Sequence, residues 1–203
     1  MSIILGLDVS TSVTGICIVD SDIVPDDLGS HILKLEAIEL SKFKTIWEKA
    51  DIVKKYFEEF EATNEYKIDK IDRIVLEEAL TAFRPGMSSA ATISTLIRFN
   101  GIVSYMARNI FDKEPEYIGS AHARKLCGIK LQRTATGGPQ KEQVFSYMEN
   151  NDLKHVMWPL KKSGKVVEWS RDATDAYVIA RAASVNGPVL PPVKKPKKPK
   201  PKT

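Results

Sequence analysis

One stretch of the sequence decides the fold: Ile3-Ile4-Leu5-Gly6-Leu7-Asp8-Val9-Ser10-Thr11-Ser12-Val13-Thr14-Gly15-Ile16-Cys17-Ile18-Val19. Two short apolar runs flank a turn of Ser and Thr, with a glycine just after it, and this pattern predicts a β-hairpin of two buried strands. Asp8 ends the first run. An unpaired carboxylate on a buried strand loses several kcal/mol of hydration, so Asp8 needs a partner, and a cation is one candidate. Hydrogen bonds from the turn of its own hairpin are the alternative.

The chain has 203 residues, which suits one domain of ordinary size. We expect this domain over residues 1–187, followed by a disordered, extended basic tail over 188–203, where a Pro and Lys repeat cannot form a core. Outside the last ten residues the chain has 24 basic and 26 acidic residues, so a polyanionic partner must meet a local patch and the tail. The sequence has no membrane-length apolar run and no signal-peptide pattern, so we expect a cytoplasmic protein without a membrane partner.

The segments after the hairpin predict further strands and helices. A third antiparallel strand follows the hairpin, and a fourth strand and a short fifth strand come later, each separated from the previous one by a helical pattern. The predicted strands are residues 31–40, 72–78 and 115–118, and the predicted helices are residues 42–63, 88–109, 140–150 and 171–184. Ser170 is the predicted cap of the last helix. Residues 161–167 form a polar turn or ribbon whose place in the fold the pattern does not indicate.

Acidic residues recur where apolar segments end. Glu77 or Glu78 ends the fourth strand, as Asp8 ends the first, and the ends of parallel strands meet at one edge of a sheet. Asp172 and Asp175 share one face of the last helix, although the helix dipole alone would explain Asp172. Four such acids could hold two Mg²⁺ ions about 4 Å apart, one activating a water and the other stabilising the leaving 3′ oxygen of a phosphodiester. Without metal these acids repel one another, which predicts a poorly ordered or partly protonated site.

A basic segment without acids runs from residue 117 to residue 141. Its cationic residues are Arg124, Lys125, Lys130, Arg133 and Lys141. We expect this segment to contact phosphate groups of a nucleic acid without reading its sequence. An ordinary solvated loop is the alternative, and residues 128–139 are predicted to be a mobile loop because Gly, Thr and Gln dominate them.

The order of the elements and the positions of the acids resemble the RNase H-like fold, and specifically the RuvC-type Holliday junction resolvases of bacteria and their phages. Five motifs across about residues 3–185 carry the resemblance. They are Ile4-Leu5-Gly6-Leu7-Asp8 with Val13-Thr14-Gly15, Val75-Leu76-Glu77-Glu78, Arg98-Phe99-Asn100-Gly101-Ile102-Val103, Gly137-Gly138-Pro139-Gln140-Lys141-Glu142-Gln143-Val144, and Arg171-Asp172-Ala173-Thr174-Asp175-Ala176-Tyr177-Val178-Ile179-Ala180. The resemblance implies an α/β fold with a mixed five-stranded sheet, three antiparallel strands then two parallel ones, flanked by helices on both faces.

The resemblance also implies a function. It implies a homodimeric, structure-selective endonuclease that cleaves four-way or other branched DNA with two Mg²⁺ ions per active site, for which Mn²⁺ substitutes, and with no small-molecule cofactor. The implied metal ligands and catalytic residues are Asp8, Glu77, Asp172 and Asp175, with Glu78 as the fallback for Glu77 and Lys141 near the scissile phosphate. The expected DNA contacts are Phe83, Arg84, Arg124, Lys125 and Arg133, and the helix over 88–109 is the expected dimer interface.

Three other functions stay open at this point. An actin-like or sugar-kinase-like phosphotransferase also has a hairpin with an Asp followed by Ser, Thr and Gly, but it needs a second such hairpin and an adenosine pocket. A nuclease instead needs the helix with Asp172 and Asp175 beside Asp8. Another RNase H-like nuclease would act on RNA–DNA hybrids or flaps. A catalytically silent binding module would gain nothing from clustered acids that face phosphates.

Overall fold

Five strands form one mixed sheet in the computed structural model, which describes residues 2–25, 29–63, 71–79 and 89–187. The strands are β1 (Ile3–Val9), β2 (Val13–Asp20), β3 (Ile32–Glu39), β4 (Arg73–Glu77) and β5 (Pro115–Ile118). Their order across the sheet is β3-β2-β1-β4-β5. The pairs β1/β2 and β2/β3 are antiparallel, and the pairs β1/β4 and β4/β5 are parallel. The predicted fold class, three antiparallel strands followed by two parallel ones, is confirmed.

Helices cover both faces of this sheet. They are α1 (Ile46–Thr63), α2 (Ala90–Phe111), α3 (Ser120–Leu126), α4 (Thr134–Gly137), α5 (Gln140–Glu149) and α6 (Ser170–Asn186). Buried side chains of α1 and α2 form one apolar core with one face of the sheet, and those of α3, α5 and α6 form a second core with the other face. The short β5 and the crossover helix α2 give the parallel half of the sheet its βαβ connection.

The alternation of side chains along β1 and β4 explains the two cores. Leu5 and Leu7 point to the α1/α2 core, whereas Ile4 points to the α6 core. Successive residues of a strand face opposite sides, so Asp8 continues the row of Ile4 and lies on the α6 face. By the same rule Val75 faces the α6 core, and Glu77 at the end of β4 follows it.

Two helix starts differ from the sequence prediction because of local hydrogen bonds. The first helix starts at Ile46 rather than at residue 42, since Thr45 and Glu48 form a reciprocal capping box: the Glu48 carboxylate accepts from Thr45 N at 3.0 Å, and Thr45 Oγ1 accepts from Glu48 N at 3.2 Å. The prediction that Ser170 caps the last helix is wrong. Ser170 is the first residue of α6, Trp169 precedes it as the N-cap, and the Ser170 hydroxyl donates to Val167 O.

The basic segment is more regular than the sequence predicts. The predicted mobile loop contains α4, and Gln143 on α5 ties the segment down: its Nε2 donates to Gln132 O and Gly138 O, and its Oε1 accepts from Gln132 N. The predicted DNA contacts Phe83 and Arg84, and the predicted tail over 188–203, lie outside the described residues. Within the described ranges, the helices are all too short or too polar to cross a membrane.

Candidate active site

Asp8 and Glu77 lie side by side because of the parallel register between β1 and β4. Leu7 is paired with Leu76, and one step further along both strands brings Asp8 opposite Glu77. Since both residues follow inward-facing neighbours on the α6 side, their carboxylates share one face at the carboxyl ends of two parallel strands. This edge is where open α/β sheets place their functional groups.

Two glycines allow α6 to approach this edge closely. A Cβ on Gly15 would overlap the Asp172 carbonyl oxygen and lie 2.5 Å from its carbonyl carbon, and a Cβ on Gly6 would lie 2.6 Å from the Ala176 carbonyl oxygen. Gly15 is paired with Asp8 across the β1/β2 hairpin. The backbone of α6 therefore rests directly on the hairpin at the position of Asp8, and this contact brings the start of the last helix beside Asp8.

Lys141, in the first turn of α5, is the cation among these acids. Its Nζ lies 2.6 Å from Asp172 Oδ1, 3.5 Å from Asp175 Oδ2 and 4.0 Å from Asp8 Oδ2. The Asp8 and Asp172 side chains are only 14% and 15% exposed, respectively. Acids from positions 8, 172 and 175 thus meet around one ammonium group, as the strand-end and helix-face argument anticipates.

The pKa values of the site report its negative charge. Burial raises the pKa of Asp8 well above its ordinary value, and the charges of Asp175 and Glu77 raise it further. Burial is also the main reason that the pKa of Asp175 rises to about 6, with the charge of Glu77 adding to it. Burial lowers the pKa of Lys141, but its hydrogen bond to Asp172 and the charge of Asp8 outweigh burial and raise that pKa above its ordinary value. The site is therefore short of positive charge.

This donor set fits a divalent cation. Carboxylate oxygens are the ligands that Mg²⁺ and Mn²⁺ prefer, and the crowding that raises the pKa of Asp8 and Asp175 is the kind that a bound cation relieves. Across the four described ranges no three Asp, Glu, His or Cys side chains already stand in a metal-ligating arrangement. The Lys141 ammonium instead lies within 4.0 Å of an oxygen of each of the three aspartates.

The alternatives raised for Asp8 and Glu77 have structural counterparts. The hairpin turn is bonded by Ser10, whose hydroxyl donates to Val13 O at 2.6 Å and accepts from Val13 N at 3.1 Å. This leaves the Asp8 carboxylate free to face α6 and Lys141. Glu78 lies one residue beyond β4, and its side chain is directed toward Gly119. Glu77, rather than Glu78, lines the cavity that also contains Lys141 and Asp175.

Two cavities place part of the basic segment beside the acids. The first, about 250 Å³ in volume, is lined by Glu77, Lys141 and Asp175 together with Arg124. The second, about 330 Å³, shares Arg124 with the first and is also lined by Lys125. The Arg124 guanidinium is oriented by hydrogen bonds to Ser120 O and Oγ within α3.

Arg133 and Lys130 are the remaining cations of the segment. The exposed Arg133 precedes α4 and lines neither of these two cavities. Lys130 lines the larger cavity. Its place in the segment without acids was the one sequence signal for it, but it was not among the residues predicted to contact DNA.

Sequence reasoning also missed a second ion pair next to the acids. Arg171 donates two hydrogen bonds to Glu142, at 3.0 and 2.9 Å, and its guanidinium stacks on the Phe145 ring at 4.3 Å. Each partner is the chain neighbour of a site residue, since Arg171 precedes Asp172 and Glu142 follows Lys141. The start of α6 is thus tied to the start of α5 by two parallel ion pairs, and no sequence pattern marks residues 29 positions apart as partners.

Comparisons with known proteins agree with this architecture. No protein-family model matches the sequence, and no curated protein matches it either. Among solved structures, the chain is similar to Thermus thermophilus RuvC in complex with a Holliday junction substrate, at 13% identity and a TM-score of 0.59, over 91% of this chain and 94% of that chain. A second Thermus thermophilus RuvC structure matches at 16% identity and a TM-score of 0.55, over 90% and 93% of the two chains. The chain therefore has the RNase H-like fold of the RuvC resolvases.

Proposed function

We propose that this protein is a metal-dependent, structure-selective DNA endonuclease that cleaves Holliday junctions or other branched DNA during recombination, repair or phage genome processing. One observation carries the proposal: acids separated by more than 160 positions in the sequence meet around Lys141 at the carboxyl edge of the sheet. A nuclease needs the last helix beside Asp8, which was the feature that separates it from a sugar-kinase-like enzyme.

The proposed metal ligands are Asp8 and Glu77 from the sheet and Asp172 and Asp175 from α6. When bound, two Mg²⁺ or Mn²⁺ ions would activate a water for in-line attack on the phosphodiester and stabilise the leaving 3′ oxygen. Buried acids held by the close β1/β2/α6 contact would keep this geometry fixed, because their backbone cannot shift without moving the core. Lys141 keeps its positive charge throughout the neutral range, since its pKa is raised. Its role would be to hold the scissile phosphate or the attacking water.

The proposed DNA contacts lie next to these acids. Arg124 lines both cavities, and Lys125 and Lys130 line the larger one, so cations extend outward from the carboxylates. Side chains of this kind position a phosphate backbone without reading bases. Arg133 would contact the backbone further along the basic segment.

A homodimer belongs to the same proposal, because symmetric cutting of two strands calls for two sites. The proposed interface is the outer side of α2, where Ile97 and Tyr105 are 43% and 65% exposed. Gly101 lies between them at helical spacing, and a Cβ there would meet nothing within 4 Å. A stripe with two large apolar residues and an open glycine suits close helix packing.

A cleavage assay tests the proposal. Purified protein is incubated with labelled four-way junction, linear duplex, flap and RNA–DNA hybrid, each with Mg²⁺ or with EDTA. We expect cleavage of the junction only with Mg²⁺, loss of cleavage in Asp8→Asn, and full activity in Asp51→Asn, which changes an exposed acid on α1. An uncut junction under every condition would contradict the proposal, as would an Asp8→Asn variant as active as the parent. Preferential cleavage of the hybrid or the flap would assign another RNase H-like substrate.

A further inference from the structure

The segment between α5 and α6 forms a small two-stranded ribbon, which the sequence pattern did not place. Val167 N donates to Pro159 O at 3.0 Å, and Lys161 N donates to Lys165 O at 2.7 Å. Leu160 and Val166 form the β-bridge between these bonds. Gly164, with a φ of +77°, closes the turn, a conformation that favours glycine. We call residues 159–167 the lysine ribbon.

The lysine ribbon carries cations that the rest of the fold does not neutralise. Lys161 pairs with Glu168 at 2.6 Å. Lys162 and Lys165 are exposed and form no ion pair with an acid in the described ranges. Leu160 on the ribbon is 64% exposed, and Met157 just before it is 95% exposed. Exposed cations beside exposed apolar side chains indicate a surface that meets a partner, and the charge specifies an anionic one.

The base of the ribbon is fixed to the start of α6. Val167 O accepts from Ser170 Oγ at 2.6 Å and from Arg171 Nη1 at 3.2 Å. Arg171 is held in turn by the two hydrogen bonds from its guanidinium to Glu142 on α5. The ribbon therefore starts from the same helix end that carries Asp172, and it cannot swing away from the acids without breaking these bonds.

We propose that the lysine ribbon binds the phosphate backbone of the DNA that flanks the cleaved bond; this inference rests on the proposed nuclease function. Lys165 is seven residues from Asp172, so a chain extension of about 3.5 Å per residue puts it at most about 25 Å away. Along one strand of duplex, at about 3.4 Å per nucleotide, this reach corresponds to at most about seven nucleotides from the cut. Lys162 and Lys165 then neutralise phosphates on one DNA arm while the acids act on the cleaved strand.

Binding measured against salt concentration tests the ribbon. The double variant Lys162→Gln/Lys165→Gln is compared with Lys54→Gln/Lys55→Gln, which removes two exposed lysines from α1 on the other face of the sheet. Affinity for the four-way junction is measured in EDTA, where no cleavage occurs, at several salt concentrations. Each lost phosphate contact lowers the salt slope of log K by about 0.9, so the ribbon variant loses up to about 1.8 and binds on the order of tenfold more weakly at low salt. The α1 variant keeps the slope of the parent.

The outcomes separate the ribbon from the nuclease proposal. A parent protein that binds and cleaves the junction, with a ribbon variant that keeps the slope of the α1 variant, overturns the ribbon inference and leaves the nuclease standing. A parent that neither binds nor cleaves the junction overturns the proposed function itself. With Mg²⁺ present, a ribbon variant with a raised KM and an unchanged kcat supports the ribbon as a binding surface, whereas a lower kcat with an unchanged KM contradicts it. Equal melting temperatures of the three proteins establish that each is folded.

Discussion

Gly15→Ala tests whether the close contact between the hairpin and α6 builds the site. Gly15 is paired with Asp8, and an added Cβ would lie 2.5 Å from the carbonyl carbon of Asp172, in overlap with the carbonyl oxygen. Carbon atoms in contact are about 3.5 to 4.0 Å apart, so the start of α6 must retreat by about 1 Å or more. The atoms in the way are backbone, which cannot rotate aside. The substitution therefore moves the helix that carries Asp172 away from the strand that carries Asp8.

The expected magnitudes follow from this displacement. Overpacking of a filled interior costs about 1 to 3 kcal/mol, which lowers the melting temperature of a domain of this size by about 2 to 12 °C. A shift of about 1 Å in a catalytic group costs on the order of a hundredfold in rate. Gly101→Ala is the matched control, since the added Cβ meets nothing within 4 Å. A glycine-to-alanine change inside an exposed helix stabilises by about 0.5 to 1 kcal/mol.

The assay combines thermal denaturation with single-turnover cleavage of a labelled four-way junction in Mg²⁺. We expect Gly15→Ala to lose both stability and cleavage, and Gly101→Ala to keep cleavage with an equal or higher melting temperature. A Gly15→Ala protein with the melting temperature and cleavage rate of the parent would refute the packing argument, because α6 would then have room to spare over Asp8.

Three further predictions concern charge and hydrogen bonds at or near the site. The pKa of Asp175 in the folded, metal-free protein is about 6, above its ordinary value, so its contribution to stability falls as the pH rises from about 4 to 6; Asp175→Asn should raise the melting temperature in EDTA at pH 7.5, by at most about 3 kcal/mol of stability, and leave it unchanged near pH 3.5, and a variant less stable than the parent at pH 7.5 would contradict this. Lys141→Ala removes the cation among the acids, so its loss of melting temperature should be larger in EDTA than in saturating Mn²⁺, and equal losses in both would oppose the role given to Lys141. Tyr177→Phe removes the buried hydroxyl that donates to Asp152 at 2.9 Å and contacts His31 at 2.8 Å; it should cost about 1 to 3 kcal/mol in denaturant unfolding without changing the Mn²⁺-induced stabilisation, and a loss of that stabilisation would place Tyr177 in the metal site.

The sheet could be predicted from the sequence because its signals are local. Short apolar runs that end in turn residues mark the strands, and the alternation within each run determines which side chains share a face. Asp8 and Glu77 end two such runs, and the parallel register of β1 and β4 makes them neighbours. The spacing of Asp172 and Asp175 on one helix face depends only on the period of the helix.

The rest depends on tertiary contacts that no local pattern encodes. The order in residues 128–139 comes from Gln143, whose amide bonds backbone groups up to 11 positions away, so the composition of that segment predicted a loop where α4 forms. The role of Ser170 as a cap failed because Val167 O competes for its hydroxyl. The position of the lysine ribbon depends on Arg171, and its anchoring to Glu142 follows from how α5 and α6 pack.

Binding of Mn²⁺ by the folded protein tests the central claim, that these acids form one divalent metal site, most directly. Bound Mn²⁺ is counted by the loss of the free-ion signal in electron paramagnetic resonance, for the parent, Asp8→Asn, Asp175→Asn and the surface control Asp51→Asn. We expect the parent and Asp51→Asn to bind Mn²⁺ equally and the two site variants to lose most of that binding while staying folded. Equal Mn²⁺ binding by Asp8→Asn, Asp175→Asn and the parent would contradict the account, because the carboxylates gathered around Lys141 would then not be the ligands.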